Sequence, residues 1–209
     1  MGKMVITIAR SYGSGGRTMG KMLAKELGIK YYDRELLRLA SDKSGINESL
    51  FGEADEKLKS TSLFRIAKKA YDGEPISADS DDFVSNDNLF RFQAKVIKEL
   101  AEEEDCVIIG RCADYVLKDH PNVIRLYCYA PLTDCIERER KLSGLSEKEI
   151  IKKIQRIDKH RADYYKYYTG NEWNDARNYD LCLNTTSMSY EELIKVVKAY
   201  IAVFKKEGE

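Results

Sequence analysis

The sequence predicts an α/β fold, a five-stranded parallel sheet with helices on both faces. Three observations carry this prediction. Short apolar runs at 5–9, 106–109 and 123–128 have the length and composition of buried parallel strands. Stretches with apolar residues at helical spacing follow the strands, and this alternation builds parallel crossovers. The first strand runs into Gly13-Ser14-Gly15-Gly16 and then a helix, so the chain opens on a strand, a glycine-rich loop and a helix in direct succession.

The elements follow in order. After the strand at 5–9, residues 18–27 place Met19, Met22, Leu23 and Leu27 on one helical face. A second strand, 29–32, ends at Asp33-Arg34, and a helix opens at Glu35. Residues 47–71 keep helical spacing through Leu50, Leu58, Leu63, Ile66 and Ala70 but are densely charged, as expected of a helical excursion from the sheet. Residues 72–88 are acidic and turn-rich, which predicts a mobile loop. A helix at 89–104, the third strand at 106–109 and the fourth at 123–128 come next. Helix 131–142 precedes a long helix to residue 168, opened by Ser146 and Glu149 as a capping box. The fifth strand is 180–183, and Ser189 with Glu192 caps a final amphipathic helix to 204.

Composition narrows the function. The chain has 209 residues, the length of one domain or of one domain with an inserted lid. Its 35 basic and 35 acidic side chains cancel, so no bulk attraction to nucleic acid or membrane is expected, and an anion site must come from local clustering. The five cysteines show no C-x-x-C pair and sit mostly in apolar runs, which predicts reduced thiols and a cytoplasmic location. Two histidines far apart in sequence make no metal motif. No apolar segment is long enough for a leader or a span.

The glycine loop is an anion cradle. Glycines let successive N–H groups turn toward one oxyanion, and the helix N-terminus adds its positive dipole. Against the phosphate-loop pattern G-x-x-x-x-G-K-[ST], residues 11–18 depart twice, with Ser11 for the first glycine and Arg17 for the lysine. The dinucleotide pattern G-x-G-x-x-G also fits Gly13 and Gly15, with Asp33 at the expected acidic distance, but Thr18 stands at its third glycine. An Arg followed by Thr at the helix start suits a terminal phosphate and its Mg²⁺. A glycine-rich turn without a ligand is the plain alternative.

Ligands of open parallel sheets lie beyond the carboxyl ends of the strands. There the sequence sets the loop, Asp33-Arg34, Gly110-Arg111 and Asn184-Thr185. Two arginines and a carboxylate beside a phosphate cradle suggest a second anionic substrate. Between Glu137 and Lys166 basic residues outnumber acidic ones ten to six, in keeping with a lid that brings arginines to a phosphoryl group in transfer. A solvated helix face is the bland reading of the same charges.

Residues 8–18, Tyr31-Tyr32-Asp33-Arg34-Glu35, residues 107–115, residues 156–161 with Tyr164-Tyr165-Lys166-Tyr167-Tyr168, and residues 178–185 together resemble the cytidylate kinase-like family. The resemblance covers nearly the whole chain. It implies a P-loop kinase fold: a core at 1–40, 89–145 and 178–209, a helical substrate-binding insertion at about 41–88, and a lid at about 146–177. It further implies that Gly13, Ser14, Gly15, Gly16, Arg17 and Thr18 hold the phosphates of ATP, with Thr18 at Mg²⁺. Asp33, Arg34 and Arg111 would lie toward the acceptor nucleotide. Arg156, Asp158 and Arg161 match the family's lid pattern; Asp158 would join the substrate-binding residues, and Arg17, Arg156 and Arg161 would stabilise transfer. The family's aspartate before Gly-Arg is Ile109 here, which removes the usual outer hold on Mg²⁺.

The function expected on this basis is ATP-dependent phosphorylation of a nucleoside monophosphate, CMP or dCMP first. Its partners would be small nucleotides. The rivals are a nucleotide-binding protein with little or no catalysis, a kinase for another small phosphorylated or hydroxyl acceptor, and an NAD(P)-dependent oxidoreductase. Thr18 and the basic lid argue against the last.

Overall fold

The structure, a computed structural model, describes residues 2–57, 74–80 and 82–207. Its sheet has five parallel strands: β1 (Val5–Arg10), β2 (Lys30–Tyr32), β3 (Cys106–Ile109), β4 (Val123–Tyr129) and β5 (Leu181–Asn184). Their spatial order is β2-β3-β1-β4-β5, with Val5 opposite both Cys106 and Val123. β1 is therefore central, and the glycine loop leaves from the middle of the sheet. The dinucleotide alternative needs β2 beside β1. Here β3 separates them.

Strand alternation sorts the core into two layers. Ile6, Ile8, Val107 and Ile109 point to one side, under Met19 and Leu23 of α1 (Gly16–Leu27) and Leu193, Val197 and Ile201 of α8 (Tyr190–Glu207). Val5, Ala9, Cys106 and Ile108 point to the other. That side is covered by Leu36 of α2 (Glu35–Ser44), by Phe90 and Ile97 of α4 (Asn86–Glu103), and by Tyr165 and Tyr168 of α7 (Glu147–Thr169). Phe90 and Tyr168 stack with ring centroids 3.9 Å apart, which fixes the far end of α7 against the core. At its near end Ile150 and Ile154 pack on Cys135 and Ile136 of α6 (Leu132–Leu142). Each such fully buried aliphatic is worth about 2 kcal/mol.

The predicted elements form with small shifts. Pro131 is the N-cap of α6, β4 runs one residue further than predicted, and β5 starts one later. The capping box of α7 is present, with Ser146 and Glu149 bonded reciprocally. Two short pieces were not legible: α5 (Ala113–Val116) and a 3-10 turn at Ala176–Asn178. Helical spacing from residue 47 gives α3 (Glu48–Lys57), and the rest of that prediction, 58–71, lies outside the described residues.

The acidic stretch 72–88 is corrected at its end. Ser85 caps α4 by accepting from the Asn88 amide, so residues 86–88 are helical. Residues 72, 73 and 81 lie outside the described set. The described part is tied to buried Asn88, whose Oδ1 accepts from Ile76 N at 2.7 Å and whose Nδ2 donates to Phe83 O at 2.8 Å. Four cysteines are buried and Cys182 is exposed, all of them free thiols. No helix among the described residues is long and apolar enough to cross a membrane.

Candidate active site

The loop between β1 and α1 is built from local bonds. The Ser14 hydroxyl donates to Ser11 O at 2.8 Å and accepts from Gly16 N at 3.3 Å. Gly13 and Gly15 have φ of 75° and 81°, in the left-handed region where glycine is unstrained. A Cβ on Gly15 would also collide with the Tyr190 hydroxyl. Among the described residues, the N–H groups of Gly15, Arg17 and Thr18 find no protein acceptor, and the first helical bond is Met19 N to Gly15 O at 3.0 Å. Free N–H groups converging at a helix start are what an anion requires.

Arg138 of α6 holds this loop in place. Its Nη1 donates to Ser14 O at 2.8 Å and to Thr185 Oγ1 at 3.1 Å, and its Nη2 donates to Thr185 O at 2.8 Å. The Thr185 hydroxyl donates in turn to Ser14 O. The residue after β5 and a helix remote in sequence thus occupy the loop's carbonyls, while the N–H groups of Gly15, Arg17 and Thr18 are left unused.

The cleft opens at the carboxyl edge of β1 and β3 and encloses about 720 Å³. Five arginines line it: Arg10, Arg17, Arg34, Arg111 and Arg161. Arg17 Nε pairs with Asp33 Oδ2 at 2.8 Å, with the Arg17 side chain 55% exposed and that of Asp33 16%. Arg34 lies at the start of α2 and is exposed. Arg111 and Cys112 follow Gly110 with φ of 61° and 53°, an uncommon left-handed run for residues with side chains. Removal from water lowers the pKa of the Arg111 guanidinium, and nearby Tyr164 and Asp33 oppose that shift.

The long helix α7, in the stretch expected to form a lid, reaches the same place. Arg161 Nη1 donates to Arg10 O at 3.0 Å and to Asp158 Oδ1 at 3.2 Å. Asp158 Oδ1 accepts from Tyr12 N at 2.7 Å, so this lid carboxylate meets the loop backbone rather than the open cleft. Desolvation raises its pKa, while the Tyr12 amide and Arg161 oppose the shift. Arg156 is exposed and stands outside the cleft lining. Thr18 is exposed on the first turn of α1.

Several residues here went unassigned in the sequence. Arg10 is a charge ending an apolar strand at the ligand edge, a signal that was available. Arg138 had none beyond its place in the basic span. Ile109 is a buried strand residue, and the acid near it is Asp114, five positions on and buried in the cleft wall. Tyr165 Oη donates to Asp114 Oδ2 at 2.6 Å, yet burial still pushes that carboxyl up to about 6. Tyr12 is gripped from the lid side as well: its hydroxyl donates to buried Glu139 at 3.0 Å, and Lys153 reaches the same carboxylate at 2.6 Å.

A glycine loop leaving the centre of a five-stranded parallel sheet, with Arg161 of the long helix α7 lining the cleft beside it, defines a P-loop kinase architecture. The chain belongs to the cytidylate kinase-like family, whose model matches residues 5–187. It is 30% identical to the cytidylate kinase of Methanopyrus kandleri over 207 residues, covering 95% of this chain and 93% of that one. It is 28% identical to the cytidylate kinase of Pyrococcus horikoshii over 201 residues, covering 95% and 88%. In fold it is similar to the crystal structure of an uncharacterized protein from Eubacterium ventriosum, with a TM-score of 0.69, 24% identity and coverage of 96% and 99%. It is also similar to shikimate kinase from Bacteroides thetaiotaomicron, with a TM-score of 0.53, 16% identity and coverage of 95% and 98%. Family and fold together support nucleotide kinase activity.

Proposed function

We propose that this chain transfers the terminal phosphoryl group of ATP to a nucleoside monophosphate, with CMP or dCMP as acceptor. One observation supports the reading most: the cleft lined by Arg17, at the end of the glycine loop, is also lined by Arg34 and Arg111, which follow β2 and β3. A donor phosphate at the loop and an acceptor phosphate at these arginines would lie side by side. An acceptor phosphate oxygen would attack the γ-phosphorus as the bond to the β–γ bridging oxygen breaks, leaving ADP. Residues 13–18 would hold the donor phosphates. Arg34 and Arg111 would hold the acceptor phosphate, with Asp33 orienting Arg17 beside it. Arg161 would stabilise the charge that spreads over the moving group. Asp158 would act through the bonds that set Arg161 and Tyr12. Arg156, exposed on the outer face of the lid helix, would contribute least.

Among the described residues no group of three or more acidic, His or Cys side chains could hold a metal alone. The Thr18 hydroxyl, exposed on the first turn of α1, is a hard oxygen donor, and Thr18 is the residue that would hold Mg²⁺ together with the donor phosphates. When bound, the ion neutralises charge developing on the β- and γ-oxygens.

Similarity to the cytidylate kinases of Methanopyrus kandleri and Pyrococcus horikoshii supports cytosine as the acceptor base, and a panel of monophosphates with ATP and Mg²⁺, read as diphosphate formed, tests it. Diphosphate from CMP or dCMP above the purine nucleotides is the expected result. ATP binding without any diphosphate would favour a nucleotide-binding protein with little catalysis, for which Ile109 in place of an acid is the supporting observation. Phosphorylation of a different small acceptor would keep the kinase and replace the substrate.

A further inference from the structure

Arg10 ends β1, and its side chain runs through a slot that two glycines keep open. A Cβ on Gly16 would lie 2.8 Å from Arg10 Cβ and 2.7 Å from Cys128 Cβ. A Cβ on Gly110 would strike Arg10 Nη1. Neither the first residue of α1 nor the residue after β3 can carry a side chain while Arg10 keeps this path. The Arg10 stem thus passes Gly16 of the loop, and its guanidinium lies against Gly110, in the cleft that Arg17 and Arg111 also line.

Its surroundings are cationic. Desolvation first, then Arg161, Arg17 and Arg111, push the Arg10 pKa down to about 9, and Asp33 is the opposing charge. Asp33 already has Oδ2 on Arg17. Among the described residues no hydrogen-bond acceptor meets the Arg10 side chain, whereas its carbonyl is held by Arg161. A purely structural arginine at this depth would be fastened to a carboxylate or to carbonyls, as Arg138 is. Arg10 instead presents an uncommitted planar fork in a field that an anion would relieve.

We propose that Arg10 is the cation that bridges the donor and acceptor phosphates, gripping an oxygen of each. The inference rests on the kinase reading above and adds a residue to it. Arg17 is more than half exposed and already bonded to Asp33, so it is the weaker candidate for that central position. A fork that donates two parallel bonds can span two phosphate oxygens, which the point charge of lysine cannot.

The test uses the full chain and inorganic tripolyphosphate as probe, without nucleotide or metal, followed by calorimetry and melting curves. Tripolyphosphate is expected to bind and stabilise the wild type. Arg10→Met should bind it roughly 30-fold more weakly, the scale of a lost charged hydrogen-bonding partner. Without the probe this variant should melt at the wild-type temperature or above, since a repelled guanidinium has gone. Arg10→Lys should recover only part of the affinity. An Arg10→Met protein that melts lower and binds tripolyphosphate within about threefold of wild type would overturn the proposal and make Arg10 structural. If Arg10→Met does not fold, Arg10→Lys decides: wild-type affinity overturns the proposal, and a loss of about fivefold or more supports it. A wild type that binds no tripolyphosphate would bring down the kinase reading itself. Binding that survives in Arg10→Met would bring down this inference alone.

Discussion

The backbone amide of Tyr12 donates to Asp158 Oδ1 at 2.7 Å, joining the glycine loop to α7, 146 residues further along the chain. The same oxygen receives Arg161, which also reaches back to Arg10 O. The loop, α7 and the end of β1 are thus held by one carboxylate and one guanidinium. Any shift of this part of α7 must break a bond to the glycine loop, so the position of α7 and the shape of the loop are coupled.

Removing this joint should cost both stability and rate. Asp158→Ala leaves the Tyr12 amide unpaired and frees Arg161, and is expected to destabilise by about 1–3 kcal/mol. Arg161→Ala should lower kcat/KM by roughly 10²-fold, about 3 kcal/mol, with little change in ATP affinity. Arg156→Ala should stay within about threefold of wild type, because its side chain stands outside the cleft. Steady-state kinetics on the three variants checks the order, and equal losses at Arg156 and Arg161 would mean that the lid turns a different face inward during the reaction.

The Arg17–Asp33 pair is half open to water, which limits its worth to stability at well under 1 kcal/mol. Arg17→Ala should therefore melt close to the wild type while kcat/KM falls by about tenfold or more. Arg17→Lys, which restores the residue expected of a phosphate loop, should not raise activity, since lysine cannot present the same fork toward Asp33 and a phosphate together. Higher activity in Arg17→Lys would count against this.

Arg138 should matter through the loop it holds. Arg138→Met removes charge-assisted bonds to Ser14 O and Thr185 O and leaves those carbonyls without their donor. A loss of about 2–4 kcal/mol in unfolding free energy is expected, with ATP affinity weakened because the N–H groups are no longer preset. Denaturant titration and nucleotide binding measure the two effects. Unchanged stability would show that the loop holds its own shape.

Asp114 makes a pH prediction with a definite sign. Its carboxyl is pushed up from 3.8 to about 6 by burial, so between these values the unfolded chain loses this proton while the folded chain keeps it. Its contribution is fully present below about pH 4 and is lost as pH rises through 6, a decline of about 3 kcal/mol. Asp114→Asn can still accept from Tyr165 and has no charge to bury. The variant should match the wild type near pH 4 and melt several degrees higher above pH 6.5. Parallel melting curves across that range would contradict the assignment.

What the sequence determined by itself is local. The strand at 106–109 was readable because four successive buried apolar residues leave little choice, and all four are at most 1% exposed. The long helix was readable because Ser146 and Glu149 satisfy each other's backbone donors within one turn. The glycine loop was readable because an anion cradle is a contiguous piece of chain. Tertiary structure decided everything that depends on distance along the chain. Only the pairing of β1 with β3 and β4 places Gly110 against Arg10, and only the return of β5 and α6 brings Thr185 and Arg138 onto Ser14 O. Arg10, Arg138 and Asp114 look like ordinary charges in a balanced sequence. Their roles come from desolvation and from neighbours brought close by the fold, such as Arg161 at Arg10, Thr185 at Arg138 and Tyr165 at Asp114, and neither quantity exists until the sheet has closed and α7 lies across it.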